Sequence, residues 1–211
     1  MGIVTLGDFI SDIESSIGNR ELLAPRITRF VNYAYFNIAG SIRFHELESF
    51  VEVTGASSLS LPNRTITVFA VSRAGILLEY IEPSLFYQRK PKNPPEIWTR
   101  LGMNVLIRTL APASPHSLYV SQRPAPLSGS SATTVIPETW DEGIYLLATH
   151  YALMSLSEET RAQAWFGRFR DFVATRHGIA DIESLETTLG FRKSQAAQLD
   201  IRRAVQIGGS E

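Results

Sequence analysis

A chain of 211 residues with 44% hydrophobic and 19% charged side chains has material for one large globular domain or two small ones, and lies outside disordered and collagen-like compositions. The absence of cysteine excludes disulfide frameworks, thiolate metal sites and cysteine nucleophiles. With 20 Lys and Arg against 21 Asp and Glu, the net charge of −1 gives no global field favouring nucleic acid or an anionic membrane.

In chain order, Leu6, Phe9, Ile10, Ile13 and Ile17 repeat at helical spacing, as do Ile27, Phe30, Val31, Ala34 and Ile38. Two amphipathic helices are predicted. Gly18-Asn19 stops the first, Pro25 suits the opening turn of the second, and Gly40 ends it. Asp8, Asp12 and Glu14 stand where a signal peptide needs a basic start and an apolar stretch, so a soluble protein with no membrane partner is expected.

From Leu47 the period changes to two. Leu47, Val51 and Val53, a turn at Gly55-Ala56-Ser57, then Leu59 and Leu61 predict a β-hairpin. Further strands are predicted at 65–72, with Ile66, Val68 and Ala70 on one face, and at 76–81, 96–101, 105–110 and 117–122. Turns are expected at Pro62-Asn63, Ala74-Gly75, 102–104 and 112–115, and a loop with a single helical turn at 83–95, where prolines cannot donate to a ladder. Residues 126–136, rich in Ser, Gly and Pro, are expected as a linker with little to bury.

Helical spacing returns after Pro137. Glu138, Asp141 and Glu142 fall in the first turns, where the helix dipole favours negative charge, while Trp140, Ile144, Leu147, Ala148 and Tyr151 form an apolar stripe. Gly143 interrupts these turns where a stronger helix former would gain up to ~1 kcal/mol. Ser157 is predicted as the N-cap of a fourth helix, with Ala162, Trp165, Phe166, Phe169 and Val173 buried and an end near His177-Gly178. The expected fold class is therefore α+β: a discontinuous helical bundle of residues 1–44 and 137–190, carrying an inserted, mostly antiparallel β domain at 47–125. Residues 191–211 are expected as a flexible tail. From 190 onward Arg192, Lys193, Arg202 and Arg203 outweigh Asp200 and Glu211, and the tail is the candidate partner-binding element together with Phe191. Trp140, Ile144, Tyr151, Trp165 and Phe169 are the candidate bundle core or subunit interface.

Chemistry has few places to reside. Gly55-Ala56-Ser57-Ser58 and Ser128-Gly129-Ser130-Ser131 lack the lysine and strand-to-helix setting of a phosphate loop. His45, His116, His150 and His177 form no metal-ligand spacing, and no nucleophile elbow occurs. The trio Glu138, Asp141 and Glu142 reads as helix-start stabilisation before acid–base catalysis, and Asn63-Arg64-Thr65 reads as a turn before a glycosylation acceptor. No catalytic residue, metal or cofactor is expected.

The order of the parts carries a resemblance. Arg29-Phe30-Val31-Asn32-Tyr33-Ala34-Tyr35, then Arg43-Phe44-His45-Glu46-Leu47, Ser60-Leu61-Pro62, and 119–126 leading to Ile136-Pro137-Glu138-Thr139-Trp140-Asp141-Glu142 resemble head-to-tail adaptor proteins of tailed bacteriophages, similar to the tail tubular protein A group. The likeness spans about residues 3–177. It implies a structural, non-enzymatic protein of the virion neck, assembled in the host cytoplasm. It also implies a ring, usually of twelve copies, beneath the portal protein, receiving the tail nozzle or another neck protein, with DNA passing through the lumen. The alternatives are a small-molecule or polysaccharide enzyme with a β-rich substrate domain, which would need a convergent polar pocket, and a generic cellular binding module.

Overall fold

The computed structural model describes residues 4–18 and 24–177. Within them the chain forms two compact units, one from the residues through Glu46 and from Pro124 onward, the other from Leu47–Arg123. Five helices and two four-stranded, largely antiparallel sheets make the fold α+β.

In the first unit, α1 (Leu6–Ile17) starts at a capping box, in which the Thr5 hydroxyl accepts the Asp8 amide and the Asp8 carboxylate accepts the Thr5 amide at 2.8 Å. Gly18 ends it in the left-handed region at φ 84°, where glycine carries no Cβ penalty. Helix α2 (Ala24–Ser41) contains Pro25 in its first turn. Both helices pack against α4 (Asp141–Ser155), which in turn packs against α5 (Glu159–His177). Leu6, Phe9, Ile13 and Ile17 of α1 and Ile27, Val31, Ala34 and Ile38 of α2 are buried. Because α4 meets neighbours on several sides, its sequence has little polar face, and Ile144, Leu147, Ala148, Ala152 and Leu153 are fully enclosed.

Two details differ from the sequence reading here. Ser157 does not cap α5: it lies in the left-handed region at φ 59°, and the Glu158 carbonyl accepts the first helical bond, from Ala162 at 2.9 Å. The short α4–α5 connection needs that reversal, which leaves Ser157 one residue too early to cap. Residues 126–136, expected as a linker with little to bury, make specific contacts with α1 and α2. The carbonyls of Ala132 and Ser130 accept the Leu6 and Gly7 amides at 2.8 and 2.9 Å, satisfying free N–H groups at the start of α1. Asn32 of α2 holds both backbone groups of Leu127, Tyr35 accepts the Val135 amide through its hydroxyl, and Leu127 and Ile136 are buried.

The second unit contains β1 (Glu48–Gly55), β2 (Ser58–Ser60), β3 (Thr65–Arg73), β4 (Ile76–Leu77), β5 (Glu79–Tyr80), α3 (Pro83–Phe86), β6 (Ile97–Leu101), β7 (Asn104–Ile107) and β8 (Ser114–Gln122). Its sheets have the orders β1-β8-β3-β4 and β2-β7-β6-β5. Both contribute to one core, with Val68, Val71, Leu118 and Val120 from the first and Leu59, Trp98, Val105 and Ile107 from the second.

The predicted hairpin of Leu47–Leu61 is therefore a corner between sheets: β1 pairs with β8 and β2 with β7. Gly55 permits the corner, since a Cβ there would lie 2.6 Å from both the Ser58 carbonyl oxygen and Leu59 Cδ2. On β3 the buried set is Thr65, Val68 and Val71 in place of Ile66, Val68 and Ala70, because two irregularities in the pairing with β8 shift the register. The single strand expected at 76–81 is split at Leu78. The Leu78 amide donates to Val71 and its carbonyl accepts Trp98 Nε1 at 3.2 Å, so β4 pairs with β3 while β5 runs parallel to β6. β8 begins at Ser114, inside the turn expected at 112–115, and β7 ends at Ile107, short of the expected Leu110.

Candidate assembly surfaces

Trp140 closes a 3-10 turn at Glu138–Trp140, in which its amide donates to the Pro137 carbonyl at 2.9 Å. Its ring is 5% exposed and stands edge-on to Phe44 at 5.6 Å and to Phe172 at 5.8 Å. Ile144 and Phe169 are also buried, whereas Tyr151 and Trp165 are half-buried. The five candidates thus divide: three are interior and two reach the surface. Tyr151 accepts a hydrogen bond from Asn37 at 2.9 Å, and burial pushes its phenol pKa up.

The carboxylates after Pro137 are separated by their surroundings. Glu142 pairs with Arg176 at 2.7 Å, both side chains largely exposed, a contact of small energetic weight. Asp141 is buried and accepts the Thr134 hydroxyl at 3.0 Å; burial raises its pKa, partly offset by that hydrogen bond. Between the ordinary carboxylate value and the raised folded value, the native state holds a proton that the unfolded chain has lost. The resulting stabilisation is fully present below the unfolded value and is lost as pH rises through the folded one. Acidification from about pH 7 to about pH 4 should therefore stabilise the wild type relative to Asp141→Asn, as measured by urea unfolding of both. A difference that is flat or grows in the opposite direction would refute the assignment.

A groove of about 480 Å³ runs between α4 and α5, lined by Tyr145, Leu146, Trp165, Arg168, Phe172 and Arg176 among others. Trp165 stands edge-on to Tyr145 at 5.5 Å, Arg168 lies 4.7 Å from the Trp165 ring centre, and Arg176 lies 5.7 Å from that of Phe172. The 165, 168, 172, 176 spacing is the sequence signal for this face. On the β unit, Phe50, Tyr119 and Phe69 form an aromatic row across β1, β8 and β3, with ring centres 4.8 and 5.2 Å apart and Phe50 75% exposed. Cross-strand register brings these three together, and no spacing within one strand announces them.

Two of the four histidines each hold a backbone carbonyl through one ring nitrogen. His150 Nδ1 meets the Ala162 carbonyl at 2.9 Å beside Phe166. His116 is buried, its Nδ1 on the Ser114 carbonyl, and desolvation lowers its pKa. Among the described residues no group of three His, Asp or Glu side chains is placed to hold a metal ion, and no helix is long and apolar enough to cross a membrane. Phe191, Arg192, Lys193, Arg202 and Arg203 lie outside the described residues.

Exposed aromatic and charged side chains on two compact units are surfaces suited to assembly. The chain belongs to the SU10 adaptor protein family, whose model matches residues 4–189. It is accordingly a phage head-to-tail adaptor, with a structural role in the virion. Among curated proteins, none matches the chain.

Proposed function

We propose that the protein forms a twelve-membered ring beneath the portal, receives the tail nozzle or another neck protein on its far side, and lets DNA pass through its lumen without catalysing a reaction. Assembly takes place in the host cytoplasm. The family match over 4–189 carries this reading. The division into a helical unit and a β unit supports it, because an adaptor must offer separate faces to two partners. Negative-stain imaging of the protein with and without purified portal tests it: stacked rings are expected, and a persistent monomer with measurable turnover would overturn it.

The segment 191–211 is the portal grip in this proposal, supported by Arg192, Lys193, Arg202 and Arg203 interleaved with Phe191, Leu199, Ile201 and Val205. Its deletion should leave circular dichroism unchanged while weakening portal binding at least about tenfold, a loss of about 1.4 kcal/mol. Charge reversal at Arg202 and Arg203 should weaken binding less and flatten its salt dependence. Undiminished portal affinity in the truncated chain would transfer the grip to the helical unit.

A further inference from the structure

Charge is segregated by helix in the first unit. Helix α1 carries Asp8, Asp12 and Glu14 and no basic residue, whereas α2 carries Arg26 and Arg29 and no acidic one. Burial of Leu6, Phe9, Ile13 and Ile17 turns Asp8 and Asp12 outward. Burial of Ile27, Val31, Ala34 and Ile38 does the same for Arg26, Arg29 and Tyr33, the last 52% exposed. Among the described residues, Asp12, Glu14, Arg26 and Arg29 form no ion pair. Like charges three or four residues apart on one helix repel, so each face is disfavoured in an isolated subunit and relieved when the opposite face approaches.

We propose that these faces are the two halves of a contact between copies: the acidic face of α1 in one subunit docks on the Arg26, Arg29 and Tyr33 face of α2 in the next. This rests on the ring reading above. A closed ring requires a head-to-tail interface, built from two different and mutually complementary patches on each subunit, and charge complementarity selects this pair. Tyrosine and arginine are also the side chains that interfaces favour.

The test uses full-length chains. Asp12→Arg with Ser15→Arg, both exposed on the side of α1 that carries Asp8, gives that face a net positive charge to match the α2 face, and Arg26→Glu with Arg29→Glu makes both negative; the capping residue Asp8 is left in place. Native mass spectrometry and negative stain, with and without portal, should show rings for the wild type. Each variant alone should need at least a tenfold higher concentration to assemble. An equimolar mixture should form rings in which the two variants alternate, and one chain carrying all four substitutions should assemble as the wild type does. Recovery in the mixture cannot come from misfolded subunits. The proposal is overturned if either variant assembles normally alone, if the mixture stays unassembled while both variants retain native circular dichroism, or if the wild type stops at a symmetric dimer. A wild type that remains monomeric both alone and on the portal would instead defeat the ring reading, and this contact with it.

Discussion

Trp140→Ala lowers the stability of the helical unit by about 3–5 kcal/mol, the range for removing a fully packed large aromatic side chain. The indole lies where three parts of the unit meet: Phe44 beyond the end of α2, the 3-10 turn that leads into α4, and Phe172 on α5. Edge-on ring pairs add to the burial. Truncation to a methyl group leaves a void with rigid walls, because neither ring can follow it inward without breaking its own packing. At this chain length each kcal/mol displaces the melting temperature by about 2–4 °C. Thermal and urea unfolding of the variant measure the loss, and a change below about 1 kcal/mol would show that the indole is not a packing centre.

Period and punctuation made the helical stripes legible. Leu6 to Ile17 and Ile27 to Ile38 repeat as apolar faces, and Gly18 and Pro25 fall at an end and a beginning. Strand partners were less so. Alternation through Val51, Val53, Leu59 and Leu61 marks side chains that turn inward but not the neighbouring strand, and here two sheets share the inward direction. The irregularities between β3 and β8 arise from pairing across 45 or more residues, which local pattern does not encode. Composition misled at 126–136, where Ser, Gly and Pro report irregular backbone but say nothing of its partners. The contacts of Asn32 with Leu127 and of Ser130 with Gly7 depend on α1 and α2 being folded beside it. At the surfaces, the aromatic residues after Pro137 were visible as helical stripes, yet the apolar stripe alone did not separate interior Trp140 and Phe169 from half-exposed Tyr151 and Trp165. The acids of α1 were legible only as a contradiction of a signal peptide. Their opposition to Arg26 and Arg29 needs the burial pattern to show which faces look outward.

Gly143→Ala destabilises the helical unit by about 1–2 kcal/mol, the reverse of what helix propensity alone expects. Propensity favours alanine by up to ~1 kcal/mol inside a helix, because glycine surrenders more backbone freedom on folding. A Cβ at 143, however, would lie 2.7 Å from Phe172 Cε1 and 3.3 Å from its Cδ1. The Phe172 ring is buried and stands edge-on to Trp140, which closes retreat on that side. Relief requires α4 and α5 to separate or a rotamer to strain, a cost of about 1–3 kcal/mol in a well-packed interior, and that cost exceeds the propensity gain. Gly167 on α5 supplies the control. It too is helical, but nothing lies within 4 Å of where its Cβ would sit, so Gly167→Ala gains about 0.5–1 kcal/mol. Urea midpoints of the two variants should therefore move in opposite directions from the wild type. A stabilised Gly143→Ala would mean that Phe172 yields freely and that the glycine does not set the approach of the two helices.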